Sequence, residues 1–147
     1  MRVTLTRRNA AVHFEALTDT GGRVAIDGAP AVGGEGLGAR PMELLLAAIG
    51  GCSGIDVVSI LTRMRQPPED LGITVDAERE QGREPALFTT IHVHFALTGA
   101  CDGEHVARAV QLSMEKYCSV ARILERTARI SWSHTLNGVA GAAPAPV

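Results

Sequence analysis

Residues 41–66, PMELLLAAIGGCSGIDVVSILTRMRQ, are the stretch of sequence that decides the fold. Pro41 suits the first position of a helix, and Glu43 places a negative charge in its first turn. Pro67 follows the segment, so the sequence predicts a helix over residues 41–65. The first half of this helix is apolar on nearly every face, which predicts burial on all sides. A small domain rarely covers such a helix alone, so the pattern favours a partner chain.

Shorter segments on either side of this helix have the alternating pattern of strands or a second helical pattern. The clearest strand, LFTTIHVHFAL, turns its apolar residues to one face and its histidines to the other. The other predicted strands are residues 2–6, 12–17, 23–27, 71–80 and 128–135, and the second helical stretch is residues 104–126 with a break near Tyr117. The resulting order, β-β-β-α-β-β-α-β, predicts an α+β fold rather than a parallel doubly wound sheet.

Length and charge limit the classes of function. The 147 residues predict one domain over residues 1–136, followed by a flexible tail rich in Ala, Pro and Gly over residues 137–147. A net charge of −2 and only five aromatic residues argue against binding to nucleic acid or to an anionic membrane surface. The longest uncharged apolar stretch has 12 residues, which is too short for a membrane span. Without a signal peptide pattern, we expect a cytoplasmic protein.

The chain contains three cysteines, an odd number that argues against a framework of structural disulfides. Cys52 lies in Gly-Gly-Cys-Ser-Gly, where the glycines weaken the helix, so the segment is either tightly packed or functional. Cys118 lies at the predicted helix break near Lys116 and Arg122, a position that predicts a lowered thiol pKa. Two such thiols on two helices favour a redox pair. Cys101 follows a Gly-Ala turn and is interpreted as unreactive.

Two other chemistries also fit short patterns. Gly-Gly-Cys-Ser-Gly matches a nucleophile elbow with cysteine in place of serine, for which His134 would be the base. That elbow needs a strand before the cysteine, whereas the sequence predicts a helix there. His92 and His94 share a strand face and offer two metal ligands, but alternation of polar residues explains them better. We therefore expect no metal site.

The segments PMELLLAAIGGCSGIDVVSILTRMRQ and KYCSV together resemble the OsmC/Ohr family of thiol-dependent hydroperoxide reductases, and the order of elements agrees over about residues 1–136. The resemblance points to the general OsmC-like branch. It implies an OsmC-like fold with antiparallel sheets and two central helices. It also implies an intertwined homodimer with active sites at the interface.

The resemblance further implies that Cys52 is the peroxidatic thiol and Cys118 the resolving thiol, both acting on an organic hydroperoxide. An external dithiol would reduce the resulting disulfide, so no bound cofactor is expected. The family's peroxidases also use an arginine held by a glutamate. Arg23 matches the arginine of the family's Gly-Gly-Arg, and Arg40 is the alternative. Met42 stands at the position of the family's glutamate, so Glu43, one residue later, is the candidate carboxylate.

A second function, from another class, is also open at this point. An OsmC-like binding module would keep the apolar interface pocket and carry a small apolar or thiol metabolite, with little or no turnover. The two hypotheses differ in what Cys52→Ser and Cys118→Ser should do, because only the enzyme depends on the thiols.

Overall fold

The computed structural model describes residues 1–141, which divide into two compact units, one over Met1–Leu45 and one from Leu46 onward. The first unit contains an antiparallel sheet with the strand order β1-β2-β3. The bounds are β1 Val3–Arg7, β2 Phe14–Thr18 and β3 Arg23–Ile26, followed by a short 3₁₀ turn over Pro30–Val32. The three strands that the sequence predicted before the long helix are therefore confirmed.

Asp27, directly after β3, folds the glycine-rich loop back onto the first unit. Its nearly fully buried carboxylate accepts hydrogen bonds from the backbone N–H groups of Leu37 at 3.0 Å, Glu35 at 2.9 Å and Gly28 at 2.8 Å. These bonds, that from Leu37 foremost, hold the pKa of Asp27 below its usual range, although burial opposes the shift. These three bonds hold the loop at the end of β3 within the first unit.

The second unit contains a four-stranded sheet with the order β4-β5-β6-β7. Its strands are β4 Asp70–Arg79, β5 Phe88–Thr98, β6 Arg129–Leu136 and β7 Val139–Ala140. The alternation predicted for β5 is confirmed, since one face of the strand is buried in the core of this unit and the histidine face is less buried. The buried set is Ile91, Val93, Phe95 and Leu97.

Strands β5 and β6 run parallel, which corrects the expectation of antiparallel sheets. Ile91 pairs with Ile130 and Phe95 with His134, while β4 pairs with β5 antiparallel. A parallel pair needs a long crossover, and here it contains the helices α2 (Gly103–Leu112) and α3 (Ser119–Leu124). The sheet is therefore mixed, and the α+β class is confirmed.

The central helix α1 spans Pro41–Arg63 and confirms the predicted helix, which ends two residues before the predicted end at residue 65. Arg65 adopts a left-handed φ of 61°, which an α-helix does not accommodate. Within the single chain one side of α1 is open, since Ile55 is 73% exposed and Val58 is 41% exposed. Burial on all sides, which the sequence linked to a partner chain, stays a prediction. The buried positions of α1 follow one face: Ile49, Gly50, Ser53, Gly54, Val57 and Leu61.

Two glycines of α1 permit a close approach to β4. A Cβ atom added at Gly54 would lie 2.6 Å from the Ile73 side chain, and one added at Gly50 would lie 3.3 Å from a Val75 methyl group. Packing against the sheet therefore explains these two glycines. At Gly51 an added Cβ would meet nothing within 4 Å, so packing within the chain does not explain that glycine.

By length and composition alone, α1 is also long and apolar enough to cross a membrane, with a mean hydropathy of 2.0 over an eighteen-residue window. The apolar stretch noted in the sequence is shorter because it was limited to uncharged residues and therefore ends before Asp56. The eighteen-residue window includes this aspartate. The core helix of a globular unit has the same properties, and the packing of Gly50 and Gly54 against β4 is of that kind.

Strand pairing continues past residue 136, the predicted end of the domain. Asn137 and Gly138, with φ values of 51° and 79°, form the tight turn between β6 and β7, and Asn-Gly is a favoured pair for such turns. The Asn137 side chain also accepts a hydrogen bond from the Gly99 N–H and donates one to the Gly99 carbonyl. The start of the predicted tail is thus part of the sheet, and residues 142–147 lie outside the described residues.

Replacing Asp27 by Asn should loosen the loop after β3, because Oδ2 holds Leu37 and Glu35 while Oδ1 holds Gly28, and the neutral amide has only one acceptor oxygen for these three N–H groups. We expect faster hydrogen exchange at both backbone amides at neutral pH, measured by NMR. The control variant Asp19→Asn changes an exposed turn and should leave both amides unchanged. Equal exchange in the two variants would contradict this role of Asp27.

Acid should have the same effect on the unaltered chain. Because the folded pKa of Asp27 is lowered, its contribution to stability is complete above the usual aspartate range and is lost as the pH falls through the lower folded value. The Leu37 and Glu35 amide shifts should therefore stay constant from pH 7 to about 4 and move only at lower pH.

Candidate active site

Cys52 lies in the middle of α1 and is half-buried. The next residue, Ser53, is fully buried, and its hydroxyl donates to the Ile49 carbonyl at 2.7 Å. That bond satisfies the only polar group of the Ser53 side chain within its own helix. Cys52 is therefore the more exposed of two adjacent small polar side chains.

Cys118 lies where the helical crossover breaks, as the sequence predicted. A π-helical turn over Ser113–Tyr117 ends at Cys118, whose backbone is extended and which caps the start of α3. Its sulfur accepts a hydrogen bond from the Ala121 N–H at 3.4 Å, and the side chain is fully buried. The break in the helix, together with this hydrogen bond, therefore determines where the Cys118 side chain points.

The thiol pKa of Cys118 is raised, whereas the sequence predicted a lowered value. Burial, with a smaller contribution from the neighbouring Cys52, raises the pKa of Cys118 to about 11 despite the Ala121 N–H bond. The two nearby cations have other partners. Lys116 lies over the Tyr117 ring, and Arg122 pairs with Glu125 and donates to the Met114 carbonyl.

The structure brings Cys52 and Cys118 together across 66 sequence positions. Their sulfurs and a carboxylate oxygen of Asp56 all lie within 4.8 Å of one another. Cys52 and Asp56 are four residues apart and share one face of α1, while Cys118 reaches them from the start of α3. We call Cys52, Asp56 and Cys118 the thiol–carboxylate cluster.

Ser113 supports this cluster, and the sequence reasoning missed it. Its fully buried Oγ lies 3.1 Å from a carboxylate oxygen of Asp56 and 3.2 Å from the Ser53 carbonyl. It therefore links α1 to the π-helical turn that ends at Cys118. The only signal in the sequence was a serine inside an otherwise helical stretch, which is an ordinary occurrence.

Arg23 and Glu43 do not form the expected arginine–glutamate pair. Within the first unit, Arg23 pairs with Glu15 at 2.8 Å, and Arg8 pairs with the same carboxylate. The Arg8 hydrogen bond is the largest cause of the lowered pKa of Glu15. Glu43 instead accepts a hydrogen bond from the backbone N–H of Arg40 at 2.9 Å and so caps the start of α1. The register of β2 against β3, rather than distance along the sequence, determines that Arg23 pairs with Glu15.

A family model described as "OsmC-like protein" matches residues 34–133, more than half of the chain, including both cysteines of the cluster. The chain belongs to the OsmC-like family. The resemblance inferred from the two cysteine segments is therefore confirmed.

Individual relatives agree with this assignment. Protein YhfA of Escherichia coli K12 is 50% identical over 95 residues, which are 64% of this chain and 70% of YhfA. A hypothetical protein from Aquifex aeolicus is 33% identical with a TM-score of 0.75, covering 92% of this chain and 96% of that one. An organic hydroperoxide resistance protein OsmC from Legionella pneumophila has a TM-score of 0.69 at 15% identity, covering 92% and 97%, and it shows the shared fold.

The hydrolase interpretation is wrong for this OsmC-like protein. Cys52 is flanked on both sides by residues of α1, whereas a nucleophile elbow needs a strand before the nucleophile. The proposed base, His134, lies on β6 and is buried, and burial together with His94 lowers its pKa.

The remaining candidates have structural partners. His92 and His94 lie on the outer face of β5, where three of their ring nitrogens are 2.8–2.9 Å from the hydroxyls of Ser131 and Ser133. Cys101 donates to the Gln66 carbonyl at 3.3 Å, and burial raises its pKa. These contacts account for all three residues without a catalytic role.

The raised pKa of Cys118 predicts slow alkylation at neutral pH. In reduced, chelator-treated protein, iodoacetamide should label Cys118 about tenfold faster for each unit of pH between 8 and 10, because the thiolate is the nucleophile. Peptide mapping by mass spectrometry measures this rate, and urea-unfolded protein is the control with an ordinary thiol. A midpoint near pH 8 in the folded protein would contradict the effect of burial.

Proposed function

We propose that this OsmC-like protein is a thiol-dependent peroxidase that reduces organic hydroperoxides to alcohols in the defence against oxidative stress. The observation that carries the proposal is the meeting of Cys52 and Cys118, whose sulfurs lie within 4.8 Å of each other. The similar fold of the Legionella pneumophila protein, which is named for organic hydroperoxide resistance, supports the same role.

The surroundings of the two thiols favour one assignment of roles. Cys52 is half-buried, so a peroxide can reach it, and it is the attacking thiol. Cys118 is fully buried and keeps its proton to about pH 11, so it is a poor first nucleophile but well placed to resolve an oxidised neighbour.

The reaction has two steps on the protein. The Cys52 thiolate attacks the terminal oxygen of ROOH, the O–O bond breaks, and the alkoxide takes a proton to leave as ROH, which leaves Cys52 as a sulfenic acid. The Cys118 sulfur then attacks the Cys52 sulfur, and hydroxide leaves with the Cys118 proton as water. An external dithiol reduces the disulfide, so the cycle needs no bound cofactor. We place the protein in the cytoplasm, where thiols are kept reduced.

Arg23 and Glu43 receive no role in this mechanism. Arg23 is held by Glu15, and Glu43 caps α1 through Arg40. The structure does show a carboxylate, that of Asp56, within 4.8 Å of both sulfurs. Because neither Arg23 nor Glu43 supports the Cys52 thiolate in this chain, we expect a slow peroxidase.

We also propose that the protein is a homodimer whose partner covers the exposed face of α1. A groove of about 990 Å³ runs between this helix and β4, and Leu46, Gly51, Ile55 and Val58 line it from the helix side. Ile55 and Val58 are too exposed for the core of a single chain. The absence of a side chain at Gly51, which packing within the chain does not require, would allow a second backbone to approach.

Turnover should depend on two of the three cysteines. With cumene hydroperoxide and a dithiol, Cys52→Ser should lose at least about 100-fold in rate, since it removes the nucleophile. Cys118→Ser should stop at a sulfenic acid that dimedone traps, and Cys101→Ser should behave like the unaltered chain.

Mass spectrometry after one equivalent of peroxide checks the same cycle. The unaltered chain should lose two hydrogens, mapped to a Cys52–Cys118 disulfide. An unchanged mass, or turnover that persists in Cys52→Ser, would sink the peroxidase proposal and favour the binding module.

The dimer should depend on the exposed face of α1. Ile55→Glu places a charge in the groove and should give monomers in sedimentation equilibrium at micromolar concentration, without loss of helix content. Ile123→Glu changes an isoleucine of similar exposure on α3, 69% against 73%, and should stay dimeric. Dimeric Ile55→Glu would contradict the proposed interface.

A further inference from the structure

We propose that the thiol–carboxylate cluster binds a thiophilic divalent cation such as Zn²⁺. Its three members offer the two thiolate sulfurs and the carboxylate oxygen that this class of cation accepts. The inference concerns equilibrium binding by these side chains and does not depend on peroxidase activity. Little in the sequence indicates such a site, because Cys52 and Asp56 form an i, i+4 pair rather than a C-x-x-C motif.

The geometry of the cluster is close to that of a tetrahedral zinc site. Zinc–sulfur bonds of about 2.3 Å and zinc–oxygen bonds of about 2.1 Å place tetrahedral ligand atoms roughly 3.6–3.8 Å apart. The three ligand atoms here lie within 4.8 Å of one another, so rotation of side chains by on the order of 1 Å at the ligand atoms closes the site. Cys52 and Asp56 sit on one rigid helix, which fixes two of the three ligands.

The charges of the cluster also favour a cation. Within residues 1–141, Asp56 is in no ion pair, and its hydrogen-bond partner is the neutral Ser113 hydroxyl. With both thiols ionised, the three groups would bring three negative charges into a partly buried space. A divalent cation offsets that repulsion.

Two further contacts resemble the outer shell of a metal site. The Ser113 hydroxyl lies 3.1 Å from one oxygen of Asp56, and this leaves the other oxygen for a metal. The Ala121 N–H donates to the Cys118 sulfur, a bond that stabilises a thiolate. The cation would enter past Cys52 and Asp56, since both are half-buried while Cys118 is fully buried.

Binding releases two protons and changes no oxidation state. Zn²⁺ replaces the thiol protons of Cys52 and Cys118, which pass to solvent, and Asp56 binds as the carboxylate it already is. Three protein ligands leave a fourth position for water. Because the metal and a peroxide need the same Cys52 sulfur, the occupied site excludes oxidation of that thiol.

The test uses Co²⁺ as a spectroscopic probe on fully reduced protein, without peroxide. We expect one Co²⁺ per chain, with the ultraviolet sulfur-to-cobalt charge-transfer band and the intense visible bands of a tetrahedral site. Zn²⁺ should displace the cobalt completely. Absence of the charge-transfer band, or a band that Zn²⁺ does not displace, would overturn the proposal.

Variants separate this site from general metal binding by thiols. Cys52→Ser and Cys118→Ser should each remove at least half of the charge-transfer intensity, and Asp56→Asn should weaken affinity about 10- to 100-fold. Cys101→Ser, which changes a thiol outside the cluster, should bind as the unaltered chain does. Equal binding in Cys118→Ser and Cys101→Ser would overturn the proposal.

A measurement on the unaltered chain guards against variants that fail to fold. Excess Zn²⁺ should slow iodoacetamide labelling of Cys52 at least tenfold and leave Cys101 labelling unchanged, as mapped by mass spectrometry. Equal labelling of Cys52 with and without Zn²⁺ would overturn the proposal. If peroxide turnover is absent while this protection is present, the proposed function fails and the metal site stands.

Discussion

The cluster depends on one hydroxyl group, that of Ser113. Its oxygen lies within hydrogen-bond distance of both the Ser53 carbonyl and the Asp56 carboxylate, and both of these belong to α1. A hydroxyl has one proton, so it donates to one of the two at a time, and the carboxylate is the stronger acceptor. This contact ties the central helix to the turn that ends at Cys118, so two thiols that are distant in sequence share one site.

Much of the fold could be predicted because its signals are local. The alternation along β5, the proline that begins α1 and the break near residue 117 are each visible within one segment, and each is confirmed. The parallel pairing of β5 with β6 could not be predicted in this way, since it depends on where a crossover of more than twenty residues returns. The Asn137-Gly138 turn had a local signal that the predicted tail obscured.

The site was predictable only where its residues carry their own chemistry. Cys52 and Cys118 are recognisable as thiols at unusual helix positions, but their meeting depends on tertiary packing. Ser113 has no such signature, and the partner of Arg23 is set by the register of β2 against β3, which gives it Glu15. The pKa of Cys118 was predicted with the wrong sign because burial outweighs nearby charges whose side chains turn to other partners.

Asp56 changes the electrostatics of this site, because it adds a carboxylate beside the two cysteines. A peroxidase cycle gains from a cation beside the attacking sulfur, because it requires a thiolate. The structure instead has a carboxylate within 4.8 Å of both sulfurs. The same carboxylate lowers the free energy of any state in which a cation occupies the cluster. Asp56 therefore makes the cluster a better site for a cation than the two thiols alone would be, and its neutral isostere would weaken that preference.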